Sequence, residues 1–215
     1  MFTPLPSQAQ HKSLTYLALG DSYTIGEGVE LSDRYPVQLV QEWNKTAKTQ
    51  FNSPLIIAKT GWTVDELEAG IQANPPAAEG YDLVTLLIGV NNQYRGRSVE
   101  SFEVDFEKML QRAVVFAKGN KSRVIVLSIP DWGVTPFASQ KGVDPDQVAK
   151  AINAYNKAKK EICNKLGIKF IDITDDYRMD GGLPEGVVED QLHPSKLIYG
   201  QWTSKLLSEL KKIKF

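Results

Sequence analysis

The chain of 215 residues holds a single cysteine, Cys163, and two histidines, His11 and His193. One cysteine closes no internal disulfide and builds no cysteine zinc cluster. Two histidines are too few for a multi-histidine metal site, so none is expected. No run approaches the ~20 consecutive apolar residues that span a bilayer, and stable membrane insertion is not expected. Charge of one sign is also missing. Twenty-five basic residues against 26 acidic leave a net charge of −1, with no positive excess to hold a phosphate backbone; nucleic acid is not an expected partner. The polar stretch Met1 to Ser13, with Pro4 and Pro6, lacks the apolar core of a secretory signal. The expectation is a cytoplasmic protein, or an exported one whose signal has been removed. The lone cysteine suits both.

Hydrophobic residues make up 42% and charged residues 24%, enough apolar surface for a folded core. The length fits one domain, predicted over 14–215 behind a tail at 1–13. Apolar runs alternate with helix-period segments. Strands are predicted at Leu14–Leu19, Leu55–Ala58, Leu83–Ile88, Arg123–Ile129 and Lys169–Ile173. Helices are predicted at Tyr35–Lys48, Thr63–Asn74, Val99–Lys118, Asp144–Leu166 and Ser195–Lys212. Pro36 suits a first helical turn, and Thr63 with Glu66 forms a capping-box pair. Strands apolar on both faces and separated by helices predict an α/β fold, a parallel sheet covered on both sides as a three-layer α/β/α sandwich. The stretch Pro130 to Val143, with Trp132, Pro136 and Phe137, is expected to be irregular and functional. Oligomeric state is not legible from the pattern.

Open parallel sheets bind ligands beyond the carboxyl ends of their strands. After the first strand comes Gly20-Asp21-Ser22-Tyr23, after the second Lys59-Thr60-Gly61-Trp62, and after the third Gly89-Val90-Asn91-Asn92. Ahead of the last helix comes Asp190-Gln191-Leu192-His193-Pro194. These are parts for acyl transfer. A serine hydroxyl needs a base to take its proton, and histidine is the usual base. A carboxylate on the other ring nitrogen fixes the tautomer, and amide donors aimed at the oxyanion stabilise the tetrahedral intermediate. The candidate donors are the Ser22 and Gly61 N–H groups and the Asn91 amide.

Those four segments, in that order, resemble the SGNH hydrolases, also called the GDSL esterase/lipase family. The resemblance runs from about Leu14 to the last helix. It implies a flavodoxin-like five-stranded parallel sheet of order 2-1-3-4-5. It implies Ser22 as nucleophile, His193 as base and Asp190 as its orienting carboxylate, with Ser22, Gly61 and Asn91 forming the oxyanion hole. Two positions depart from the common pattern. Asn92 stands where many members have aspartate, and Gln191 where glycine is frequent, so Gln191 is a candidate to line or narrow the site. The stretches 88–96 and 128–138 resemble a bacterial subgroup.

Each assignment has a plainer alternative. Gly-Asp-Ser occurs by chance in roughly 5% of chains this long, so alone it marks no more than a helix N-cap serine; the other three segments give it weight. Asn91 and Gly61 are also turn formers. Trp62, Tyr94, Trp132 and Phe137 either wall the substrate pocket or pack ordinarily. Asp21 is expected to tie its loop by hydrogen bonds, Cys163 to be a packed thiol, and His11 to be solvated. The expected activity is hydrolysis of small or medium acyl esters through an acyl-enzyme, which needs no metal or organic cofactor, the partner being a small-molecule ester. The alternatives are a carbohydrate deacetylase of the same mechanism and a non-catalytic phosphate- or nucleotide-binding protein on the same fold.

Overall fold

The structure, a computed structural model, describes residues 13–215. His11 and nearly all of the predicted tail lie outside the described residues. Five strands form one sheet: β1 (Tyr16–Gly20), β2 (Leu55–Ala58), β3 (Leu83–Leu87), β4 (Val124–Leu127) and β5 (Lys169–Ile171). Their order is β2-β1-β3-β4-β5, and every neighbouring pair is parallel. Every residue of the inner strands β1, β3 and β4 is buried, as their nearly continuous apolar runs, with Thr85 the polar member of β3, predict for strands covered on both faces. The edge strands β2 and β5 begin exposed.

Nine helices are described: α1 (Ser22–Ile25), α2 (Tyr35–Thr46), α3 (Val64–Ala73), α4 (Val90–Tyr94), α5 (Val99–Phe116), α6 (Pro136–Gln140), α7 (Pro145–Leu166), α8 (Thr174–Asp180) and α9 (Lys196–Leu210). One group pairs α2 with α9; the other sets α5 against α3 and α7. The long helices begin where their capping residues stand. Glu66 accepts from the Thr63 amide at 2.9 Å ahead of α3. The Asp144 carboxylate accepts from the Asp146 amide at 2.9 Å, with Pro145 opening α7. The stretch expected to be irregular, 130–143, instead contains a 3-10 turn at Trp132–Val134 and the helix α6. The Thr135 hydroxyl accepts from the Ala138 amide at 3.3 Å, and Pro136 takes the first helical position. A helix of five residues is too short to display a period of 3.6.

Cys163, Lys159 and Asp21 are among the titratable groups that lie inside. Cys163 is a buried thiol pushed up to about 12 by burial. Lys159 is 0% exposed. Its ammonium group donates to the carbonyl oxygens of Ile88 at 2.9 Å and Leu127 at 2.8 Å and stands 5.3 Å from the centre of the Phe106 ring. Burial lowers its pKa to about 7. Burial raises Asp21 to about 7, against the pull of the Tyr23 amide and Lys159.

Candidate active site

The four segments singled out in the sequence converge at the carboxyl edge of the sheet. β1 ends at Gly20, where a Cβ would overlap the Thr24 hydroxyl and the Leu87 carbonyl oxygen. Glycine alone lets the chain turn so tightly from β1 into α1. Asp21 caps α1, its carboxylate accepting from the Tyr23 amide at 3.1 Å, which is the loop-tying role expected of it. The serine is therefore not the cap but the first helical residue. Ser22 is 4% exposed, and its N–H, at a first helical position, has no intrahelical acceptor.

The segment after β2 turns at Gly61, whose φ is +84°. The Trp62 amide closes the turn on the Lys59 carbonyl at 3.2 Å. After β3 the chain passes through Gly89, φ +123°, into α4, which presents Asn91. The Asn91 side-chain amide donates to the Trp62 carbonyl at 3.0 Å, so the second and third segments are tied together. Asn92 is buried and points elsewhere. Its side-chain oxygen accepts from the Val64 amide at the start of α3, 3.1 Å away.

His193 lies on a strap ahead of α9. The Val188 amide donates to the His193 carbonyl at 2.9 Å, and the Tyr177 hydroxyl donates to the Leu192 carbonyl at 2.6 Å. Asp190 holds the histidine twice. One carboxylate oxygen accepts from the Leu192 and His193 amides, both at 2.9 Å; the other is 2.5 Å from His193 Nδ1. Partial burial pushes the Asp190 carboxyl up, but the His193 ring and the two amides outweigh it and hold it below the usual aspartate value. A carboxylate on Nδ1 places the neutral ring's proton there and leaves Nε2 as an acceptor. The ring packs 5.3 Å from that of Tyr23.

Ser22, Gly61, Asn91 and His193 line one cleft of about 180 Å³. No hydrogen bond joins Ser22 to His193 among the described residues; such contacts are often loose before substrate arrives. Tyr94, Trp132 and Phe137, three of the proposed wall residues, line the same cleft. Trp132 is held by its indole N–H, which donates to the Gln93 side chain at 2.8 Å. Tyr94 meets it edge-on at 5.1 Å and is itself 55% exposed.

Two proposed wall residues are not among those lining the cleft. The Trp62 ring lies over Gly70 of α3, where a Cβ would collide with it. Gln191 turns away with φ +61°. Its carbonyl accepts from the Phe137 amide at 3.1 Å, and its side-chain oxygen accepts from Gln140. Conversely, Tyr23, Thr60, Val90 and Leu192 line the cleft without having been singled out. Each is the chain neighbour of a motif residue, which is the signal that finds them.

Among the described residues no group of three or more His, Cys, Asp and Glu side chains is placed to hold a metal ion, and no helix is long and apolar enough to cross a membrane. The arrangement offers a hydroxyl, an oriented imidazole and amide donors within one small cleft.

Residues 18–200 match the model of the GDSL-like lipase/acylhydrolase family. The chain belongs to that family. As a GDSL hydrolase it is an enzyme that acts on ester bonds of small molecules. Comparison with curated proteins finds no match. Among solved structures, this GDSL hydrolase resembles a lipase/acylhydrolase from Enterococcus faecalis at 18% identity and a TM-score of 0.73, over 93% of this chain and 96% of that one. It resembles an acetylxylan esterase from Geobacillus stearothermophilus at 18% identity and a TM-score of 0.72, over 94% and 96%. A psychrotrophic esterase from Pseudoalteromonas, solved with monoethylphosphonate as inhibitor, has 14% identity and a TM-score of 0.66, over 93% and 98%. These likenesses extend across the whole sheet and share the fold of this GDSL hydrolase.

Proposed function

We propose that the protein is a serine esterase for short acyl esters, with Ser22, His193 and Asp190 as its triad. The observation that carries this is the double hold of Asp190 on His193, by ring and by backbone, in the cleft that contains Ser22. His193 Nε2 takes the proton of the Ser22 hydroxyl as its oxygen attacks the ester carbonyl. The Ser22 and Gly61 N–H groups and the Asn91 amide receive the oxyanion. His193 then gives the proton to the leaving alcohol. Water, deprotonated by the same ring, attacks the acyl-serine and releases the acid.

A cleft of about 180 Å³ bounded by Trp132 and Phe137 suits a short acyl group. The exposed Tyr94 ring at its mouth offers a flat face to the alcohol portion. That exposed ring, with the fold shared with an acetylxylan esterase, favours a second reading in which the alcohol is a sugar. A phosphate-binding role is disfavoured, because no lysine or arginine lines the cleft.

The test is hydrolysis of p-nitrophenyl esters from acetate to long chains, with Ser22→Ala as control. Turnover highest on acetate and abolished in Ser22→Ala is expected. Undiminished turnover by Ser22→Ala would remove the nucleophile, and a preference for long chains would remove the short-acyl assignment.

A further inference from the structure

Asn91 and Arg95 stand four residues apart, one turn along and just past α4, where side chains share a face. Both grip the Gly61–Trp62 turn. Asn91 donates to the Trp62 carbonyl at 3.0 Å, and the Arg95 guanidinium donates to the Gly61 carbonyl at 2.6 Å. A second guanidinium nitrogen of Arg95 donates to Glu66 at 2.9 Å, and the other oxygen of Glu66 accepts from the Thr63 amide at 2.9 Å. The guanidinium is thus fixed between α3 and the turn. Its contacts are with the turn and α3, and it is not among the residues that line the cleft.

What this grip achieves follows from Gly61. A glycine at φ +84° has little intrinsic preference for one conformation. Its N–H is separated from its carbonyl by only the two torsions of that residue. An oxyanion donor acts through being aimed before the charge develops. Anchoring the Gly61 carbonyl, while the Trp62 amide is bonded to Lys59 and the Trp62 carbonyl to Asn91, removes the freedom that would let the N–H swing away.

We propose that Arg95 is a positioning residue, which holds the Gly61 turn in its oxyanion-binding conformation and is itself steadied by Glu66. This rests on the assignment of Gly61 and Asn91 to the oxyanion hole. Arg95 and Glu66 are substantially exposed, with side chains at 42% and 38%. As an ion pair they add little to stability, which separates a positioning role from a structural one.

The experiment measures kcat, KM and thermal midpoint on p-nitrophenyl acetate for wild type, Arg95→Met, Arg95→Lys and Glu66→Gln. Arg95→Met is expected to lower kcat roughly 10–100-fold, the cost of misaimed catalytic groups, with KM and the midpoint nearly unchanged. Arg95→Lys, which retains a cationic donor for the Gly61 carbonyl, is expected to recover part of that loss. Glu66→Gln is expected to show a smaller loss than Arg95→Met, since the bond to Gly61 remains. A kcat for Arg95→Met within twofold of wild type overturns the proposal. So does a fall in kcat matched by a collapse of the midpoint in both Arg95 variants. Should Arg95→Met not fold, a kcat for Arg95→Lys equal to wild type, with Glu66→Gln also equal, overturns it as well. Ser22-dependent turnover in the wild type separates these failures from failure of the esterase reading itself, which would take this proposal with it.

Discussion

The Lys159 ammonium group lies 2.9 Å from the carbonyl oxygen of Ile88, three residues ahead of Asn91. A buried lysine therefore ties the end of β3 to α7 and to the end of β4. Its pKa is lowered to about 7 from the usual 10.5 by burial. Between those values the unfolded chain holds a proton on this lysine that the folded chain has lost. Stability then rises with pH through that window, on the order of 1 kcal/mol per pH unit. Lys159→Met should abolish this rise while leaving Ile88 and Leu127 without their donor. Urea unfolding of both proteins at pH 7 and pH 9.5 measures the difference. Parallel pH dependences would show that Lys159 stays charged in the fold.

Asn91→Ala should lower turnover by roughly 10²–10³, the cost of one lost oxyanion donor. The same substitution frees the Trp62 carbonyl. Steady-state kinetics on p-nitrophenyl acetate checks it, and an unchanged kcat removes Asn91 from the oxyanion hole.

Gly20→Ala should destabilise the fold by about 1–3 kcal/mol through overpacking, because its Cβ has the Leu87 backbone in its way. For a chain of this size that is a drop in thermal midpoint of roughly 2–4 °C per kcal/mol. Calorimetry would reveal it, and a midpoint equal to wild type would mean that the β1–β3 edge can move apart.

Phe137 is held against the histidine strap by the hydrogen bond its amide donates to the Gln191 carbonyl and by the side-chain pair Gln140–Gln191. Loosening that clasp should let α6 withdraw and admit longer acyl groups. In Gln140→Ala and Gln191→Gly, the ratio of kcat/KM for octanoate over acetate should rise several-fold above wild type. A ratio that stays constant in both would mean that Phe137 is set by α6 alone.

Much of this was legible in the residues. β1, β3 and β4 announce themselves because strands buried on both faces need nearly continuous apolar runs. α3 announces its start through Thr63 with Glu66. Ser22, Gly61, Asn91, Asp190 and His193 could be picked out because each follows a strand or precedes a helix in a recurrent order. The short helices α1, α4, α6 and α8 could not, since four to seven residues do not complete two turns of a periodic pattern. Trp62 was open to both readings, as a pocket wall beside Gly61 or as ordinary packing, and its ring finds a seat on α3 made by the missing side chain of Gly70. Arg95 was invisible for a different reason. Its partner is a backbone carbonyl 34 positions earlier, and backbone acceptors leave no mark on residue identity.

The strand order places β1 between β2 and β3. Ser22 follows the middle strand, Gly61 the one on its left and Asn91 the one on its right. Neighbouring strands lie about 4.8 Å apart whatever their side chains. The gauge of the proposed oxyanion hole is thus inherited from the pitch of the sheet itself. Substitutions in the cleft walls can reshape what enters, while the spacing of the strands that carry the proposed donors stays set by the sheet.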